Sequence, residues 1–318
     1  VKTRQELFSP LQRLPRISHH LGIELRVMRD DLFPVIGGGN KARKIIKILQ
    51  EPESQGCNAL VTTGSLQSNH ARVTALAAAQ RGWGCKLILH GDKEELVKPK
   101  GNLLLMLLAG AEIQIVPSSD IAPAMQSAMD VFRADGLNPY EILGGGHCVA
   151  GAMAFVEAVK ELKEYCQEDK WQPDWLILAS GTGTTQAGLM LGLEQLGWRT
   201  RVIGISVARR NPRGRDIVQN SYLEIRSYLQ LPSLVQPIDF RDDWVGQGYE
   251  QADSTVISAI NIAADIEGLI LDPTYTGKAF AALLELVSSG EIPQKSNVLF
   301  WHTGGLMNLM ASDYIIVK

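Results

Sequence analysis

The stretch 174–207, DWLILASGTGTTQAGLMLGLEQLGWRTRVIGISV, decides the fold class. It opens on an apolar run at 174–179, turns through glycines and threonines, carries a helical pattern over 185–197 and closes on a second apolar run at 201–207. Both runs are apolar throughout rather than alternating, which suits strands covered on both faces. Strand, helix and strand in that order predict a parallel pair joined by a right-handed crossover. The pattern repeats along the chain. Further strands are expected at 24–29, 58–64, 85–91, 111–116 and 297–304, and helices at 41–50, 69–81, 101–109, 149–166, 254–266 and 276–289. This predicts an α/β protein with two parallel sheets. One draws on strands within 58–143, the other on those within 174–207, rejoined by the strand at 297–302. The Gly-rich segment LGGGHCVAG (143–151) and the long helix after it form the expected crossing point. Residues 208–250, rich in Arg, Pro, Gln and Asp, do not separate into helix and loop, and the run LILD (269–272) reads as strand-like.

The composition narrows the function classes. With 318 residues, 45% hydrophobic and a net charge of −3, the chain is long enough for two moderate domains and has no charge excess that would draw nucleic acid or an anionic membrane. No apolar run approaches the roughly 18–20 residues that span a bilayer, and the first twenty residues lack an apolar signal core. A cytoplasmic location is the expectation. Cys57, Cys85, Cys148 and Cys166 are scattered without CxxC spacing and read as reduced thiols rather than a disulfide framework or zinc site.

Chemistry concentrates where strands meet helices, as ligand sites do in open parallel sheets. In GGGNKARKIIKILQ (37–50), Asn40 suits a helix cap, and Lys41 stands where the helix dipole disfavours an ammonium. In TTGSLQSNHAR (62–72), Ser65, Ser68 and Asn69 bring polar groups to a helix start. The bland alternative there is simple capping. In ASGTGTTQAGL (179–189), Gly181, Thr182, Gly183, Thr184 and Thr185 form a phosphate cradle; no GK[ST] follows, and Gln186 stands where a dinucleotide fingerprint needs glycine. Arg209 and Arg210 imitate a 2′-phosphate site, so an NADP reading stays open. LDPTYTGKAF (271–280) puts Tyr275 and Thr276 at a helix entry, and FWHTGG (300–305) ends a strand on His302 and Thr303. No HExxH, GxSxG or Asp/His cluster appears, and no metal site is expected. A lysine amine, a phosphate cradle and hydroxyls with almost no acid match what pyridoxal 5′-phosphate requires.

Taken in order, RDDLFPVIGGGNKARK (29–44), GSLQSNHAR (64–72), ASGTGTTQAGL (179–189), LDPTYTGKA (271–279) and HTGG (302–305) resemble the D-cysteine desulfhydrases and 1-aminocyclopropane-1-carboxylate deaminases. These are fold-type II pyridoxal-phosphate enzymes related to the tryptophan synthase β subunit. The resemblance implies two three-layer parallel-sheet domains, a large one of residues 1–44 plus 151–318 and a small one of 45–150, with the active site in the cleft between them and a homodimeric assembly. It implies that Lys41 holds the cofactor as a Schiff base; Lys44 and Lys278 compete for that role, but neither follows the Gly-Asn turn. By the same match Asn69 contacts the cofactor's 3′-oxygen, 181–185 hold its phosphate, and Thr276 and Thr303 lie near its ring nitrogen. Ser68, with Gln67 and His70 beside it, meets a small amino-acid substrate, and Tyr275 and Tyr249 stand near that substrate. Where the deaminases carry glutamate after the tyrosine, this chain has Thr276, as desulfhydrases do, and His70 points the same way. The implied reaction is α,β-elimination, with the deaminase and a non-catalytic cofactor-binding homologue as alternatives.

Overall fold

A computed structural model describes residues 8–232 and 237–313. The stretch 174–207 is the expected crossover unit. Strand β7 (Trp175–Ser180) runs parallel to β8 (Arg201–Ser206), from Trp175 opposite Arg201 to Ser180 opposite Ser206, with the helix Thr184–Gln195 between them. Strand side chains alternate between faces, and here both faces are dry. Leu176 and Leu178 join Leu299, Trp301, Phe155 and Leu189 on one side, while Ile177 and Ala179 join Ile203, Ile205, Phe300 and Phe280 on the other. That two-sided burial is why neither strand alternates in sequence.

Eight further strands complete two sheets among the described residues: β1 (Leu11–Arg13), β2 (Glu24–Arg29), β3 (Ala59–Ser65), β4 (Gly84–His90), β5 (Glu112–Ile115), β6 (Pro139–Ile142), β9 (Asp239–Arg241) and β10 (Asn297–His302). The larger sheet has the order β1-β2-β10-β7-β8-β9 and the smaller β5-β4-β3-β6; every recorded pair is parallel except β1 with β2. Helices cover both faces of each. Thr276–Ser288 and Ser254–Glu267 lie on one face of the larger sheet, and Val149–Asp169 and Thr184–Gln195 on the other. Asn40–Ile48, Asn69–Ala79 and Gly101–Leu108 cover one face of the smaller sheet, and Ile121–Ala134 the other. No helix among the described residues is long and apolar enough to cross a membrane.

The structure revises three local expectations. Within 208–250 stand a helix, Arg213–Tyr228, and the edge strand β9. That helix is mostly polar, with a stripe of Ile217, Val218, Tyr222 and Ile225 that packs on Ala187 and Leu191. The run LILD is no strand: the preceding helix ends at Gly268, and Leu269 and Leu271 are buried as an irregular connection. Asn40 is not a cap. Gly39 holds the cap position and Asn40 is the first helical residue, its N–H donating to the Thr303 carbonyl at 2.9 Å.

The helix that follows straddles the two sheets. Ala42, Ile45 and Ile48 pack into the core of the smaller sheet. Arg43 points the other way, into a buried ion pair with Asp30 at 2.9 Å and a second with Glu161. The entry turn depends on Gly37, Gly38 and Gly39, with φ of 74°, 70° and 89°, a left-handed run that L side chains adopt at a cost. Arg72 clamps this turn by donating to the Ile36 carbonyl at 2.6 Å and the Gly38 carbonyl at 3.2 Å. At Gly38 a Cβ would stand 2.3 Å from the Asp31 carbonyl oxygen. Gly38→Ala is therefore expected to lower stability by about 2 kcal/mol, read as a lower urea midpoint at unchanged slope. An unmoved midpoint would show that the turn is not under this constraint.

Candidate active site

The carboxyl ends of β3, β6, β7, β8 and β10 meet around a cavity of about 790 Å³. Its wall includes Lys41, Ser65, Ser68, Asn69 and His70 from the Gly-Asn helix and the β3 loop, and Gly144 and Gly145 after β6. From the larger sheet come Gly181, Thr182, Gly183, Thr185, Arg209, Tyr249, Tyr275 and Thr303. No aspartate or glutamate lines it among the described residues, and Arg210 and Arg213 add to its positive charge.

Three lysines were candidates for a reactive amine, and the structure separates them. Lys278 is buried and faces away, its Nζ donating to the carbonyls of Gly248 at 2.7 Å and Val245 at 2.9 Å. Lys44 is buried with its Nζ bonded to Thr184 Oγ1, and it does not line the cavity. Lys41 does, with Nζ donating to the Gly145 carbonyl at 2.9 Å. Burial, then the charge of Arg209, lowers the Lys41 pKa to about 8. Lys44 is pushed well below its usual value, by burial first and by Lys41 second.

The cradle sits at the start of the helix Thr184–Gln195, with Gly183 in the left-handed region at φ 85°. Free N–H groups at such a terminus receive anions. The cradle's hydroxyls divide. Thr182 and Thr185 line the cavity, and Thr185 Oγ1 accepts from Asn40 Nδ2 at 3.3 Å, whereas Thr184 is absorbed by Lys44. His147 Nδ1 lies 2.9 Å from the Thr182 carbonyl, which ties the 144–147 turn to the cradle.

On the opposite wall Ser68 caps the helix Asn69–Ala79, accepting from Ala71 N–H at 3.2 Å, and also lines the cavity. Capping therefore does not remove Ser68 from the cavity wall. Gly64 permits this fold-back, since a Cβ there would stand 2.5 Å from Ser68 Oγ. Asn69 is fixed by Asn308, to which it donates at 2.7 Å, and by Asn102, from which it accepts at 3.0 Å. His70 is buried. The Thr62 hydroxyl donates to the Ile142 carbonyl at 2.7 Å, so the contact of 3.0 Å assigns the proton to His70 Nε2 and leaves Nδ1 as an unpartnered acceptor. Burial and the two lysines hold that ring neutral. Gln67 does not line the cavity: its amide accepts from Asn102 N–H at 3.0 Å and donates to the Lys100 carbonyl at 3.3 Å.

Tyr249 and Tyr275 line the cavity with their hydroxyls hydrogen-bonded to each other. Burial pushes the Tyr249 hydroxyl up to about 12 and Tyr275 well above the usual range, so both keep their protons at neutral pH. Asp272 anchors the entry turn, accepting from the N–H groups of Thr274, Tyr275 and Thr276 at 2.8–2.9 Å. Thr276 does not line the cavity; its hydroxyl donates to Asp272 Oδ1 at 2.7 Å. Thr303 does line it.

Comparison with known proteins gives a consistent result. A family profile described as pyridoxal-phosphate dependent enzyme matches residues 2–304. The chain belongs to the pyridoxal-phosphate-dependent enzymes. It is 34% identical to the D-cysteine desulfhydrase of Klebsiella pneumoniae and 35% identical to that of Salmonella newport, in each case over 95% of this chain and 93% of the relative. The crystal structure of an ACC deaminase homologue superposes with a TM-score of 0.87 at 34% identity, covering 95% of this chain and 91% of that one. An L-serine ammonia-lyase from Rhizomucor miehei, at 17% identity and a TM-score of 0.67 over 93% of each chain, shares the fold.

The residues present fit pyridoxal phosphate. The cavity offers a lysine amine of lowered pKa, a helix-terminal cradle and a cationic wall without a carboxylate. Three residues at or beside the cavity were missed or read differently in the sequence. Gly145, whose carbonyl accepts from Lys41, lay in a segment read as a crossing point and as a departure from the family pattern near the substrate. Arg209 was read as an imitation of a 2′-phosphate site, which the family match does not support. Glu250 was not considered; its Oε1 accepts from Ser65 Oγ at 2.8 Å across the cleft. Borohydride reduction followed by peptide mapping should place the cofactor adduct on Lys41 in the wild type and in Lys44→Ala and Lys278→Ala, and nowhere in Lys41→Ala. An adduct on another lysine in the unaltered protein would overturn the assignment. Because only the neutral amine attacks an aldehyde, capture of cofactor by the apoenzyme should quicken about tenfold per pH unit below pH 7 and level off above pH 8.

Proposed function

We propose that this enzyme is a D-cysteine desulfhydrase, converting D-cysteine and water to pyruvate, hydrogen sulfide and ammonia. The single observation that carries the reading is the meeting of Lys41 with the Tyr249–Tyr275 hydroxyl pair in one carboxylate-free cavity. Relatives that bear this name, matched over nearly the full chain, support it.

Pyridoxal phosphate, when bound, supplies an aldehyde that joins an amino group and a ring that spreads the negative charge left at a deprotonated Cα. The protein supplies the rest. Lys41 Nζ, mostly neutral once above about pH 8, takes the Cα proton. The Ser68 hydroxyl and the N–H groups at the start of the helix Asn69–Ala79 receive the substrate carboxylate. Electrons of the broken Cα–H bond become the new Cα–Cβ double bond, and those of the Cβ–S bond leave with sulfur. Tyr275, protonated and held by Asp272 and Tyr249, donates toward the departing group. Thr303 offers a hydroxyl to the ring nitrogen, and Asn69 an amide to the 3′-oxygen.

A homodimer in the cytoplasm belongs to the same reading. The exposed Val97, Leu104, Leu107 and Leu108, on and beside the helix Gly101–Leu108, support self-association. The domain division also belongs here, with its first boundary moved from 44/45 back to the glycine turn, because the helix Asn40–Ile48 packs on the smaller sheet.

The deciding assay incubates the purified holoenzyme with each cysteine enantiomer and with 1-aminocyclopropane-1-carboxylate. Equal sulfide and pyruvate from D-cysteine are expected. Ammonia and a 2-oxo acid from the cyclopropane substrate, with no sulfide from either cysteine, would instead favour the activity that the ACC deaminase homologue suggests. Ser68→Ala is expected to raise KM about tenfold while leaving the visible absorbance of bound cofactor intact, and to cost about 1 kcal/mol of stability through the lost cap. Loss of the cofactor in that variant would show that Ser68 is misplaced in this reading.

A further inference from the structure

We propose that Arg209 is a ligand of the cofactor phosphate, adding a charge-assisted hydrogen bond to the backbone cradle at 181–185. This rests on the cofactor assignment and not on the choice of substrate, so a failed sulfide assay leaves it standing.

The argument starts from the turn after β8. Ser206 Oγ donates to the Arg209 carbonyl at 2.6 Å and accepts from Ala208 N–H at 3.3 Å, which fixes where the arginine leaves the chain. Its Nη1 donates to the carbonyl of Gly181 at 2.6 Å, so the guanidinium is anchored on the cradle itself while the side chain forms part of the cavity wall. Its Nε and Nη2 make no hydrogen bond among the described residues. Nor does any carboxylate approach Arg209, Arg210 or Arg213 within 4.0 Å among those residues. A half-buried cation with a free edge, beside other cations and facing a wall without acid, is an incomplete arrangement. An anion completes it, and a guanidinium fork matches phosphate oxygens. Burial and the charge of Arg213 lower the pKa of Arg209, as lack of a counter-anion should. Arg210 differs: its guanidinium donates to the carbonyls of Asp242 at 2.6 Å and Gly246 at 3.1 Å and so is already employed as a loop brace.

A purely structural role for Arg209, bracing Gly181, is the rival account. Pyridoxal, which has the aldehyde but no phosphate, separates the two. The apoenzyme is titrated with pyridoxal phosphate and with pyridoxal, following visible absorbance, for the wild type and for Arg209→Gln, Arg209→Lys and Arg210→Gln. Arg209→Gln is expected to weaken pyridoxal phosphate about 10- to 100-fold while pyridoxal changes by less than about twofold. Arg209→Lys should recover part of that loss and keeps the test readable if glutamine disturbs the turn. Inorganic phosphate should compete with pyridoxal phosphate for the wild type and less well for Arg209→Gln. Equal losses for the two aldehydes would reduce Arg209 to a brace. An equal selective loss in Arg210→Gln would make the effect one of general charge, and unchanged affinity in Arg209→Gln would end the proposal outright.

Discussion

The site depends on an ammonium that has been taken out of water and given no carboxylate. Ionised lysine in such surroundings loses hydration without recovering it from a partner, so its proton becomes easier to remove. Burial and the guanidinium of Arg209 work in that direction on Lys41 and outweigh the opposing hydrogen bond with Lys44. A single aspartate in the wall would hold the amine charged and would also repel the phosphate. The absence of acid from the cavity wall thus suits both a neutral amine and a bound anion.

Keeping that arrangement in place falls to contacts between the layers. Neither sheet contains the site. The helix that carries Lys41 is packed by its apolar side on the smaller sheet and pinned by Arg43 to Asp30 and Glu161 on the larger. Asn40 bonds to the Thr303 backbone and the Thr185 side chain, and Ser65 reaches Glu250. The glycine turn exists because the chain must reverse tightly between these two attachments, and Arg72 holds it from the smaller side. Changes far from the cavity that loosen either attachment would tilt the lysine relative to the cradle, since one rigid helix connects them.

How much of this was legible follows the range of the forces involved. Strands β7 and β8 could be read because burial on two faces demands continuous apolar residues, a local signature. The place of Lys41 on the cavity wall could be read because a lysine straight after a Gly-Asn turn at a helix entry is a local signature. The helix Arg213–Tyr228 could not, since it buries only one stripe and spends the rest on charge. Lys44 and Lys278 look like rivals of Lys41 in sequence; what removes them is a hydroxyl 140 positions away and carbonyls about 30 positions away, which no local pattern encodes. Gln67 sits beside Ser68 and was credited with the same role, but successive residues at a helix entry face different directions, and its amide serves the turn at residue 102.

Thr276 shows how a residue can act on the cavity at one remove. The sequence comparison treats it as a threonine in place of a glutamate beside the cofactor ring, yet its hydroxyl is spent on Asp272 and does not reach the cavity wall. Asp272 is almost fully buried, burial raises its pKa, and its oxygens are held by three backbone N–H groups and this one hydroxyl. A glutamate at 276 would bring a second carboxylate to the same dry pocket in place of a donor. Two such groups cannot both stay ionised in contact, so one would protonate or one side chain would swing toward the ring. Threonine lets Asp272 remain the organiser of the turn that aims Tyr275. The choice between the two residues is then a choice between orienting a phenol and placing an acid.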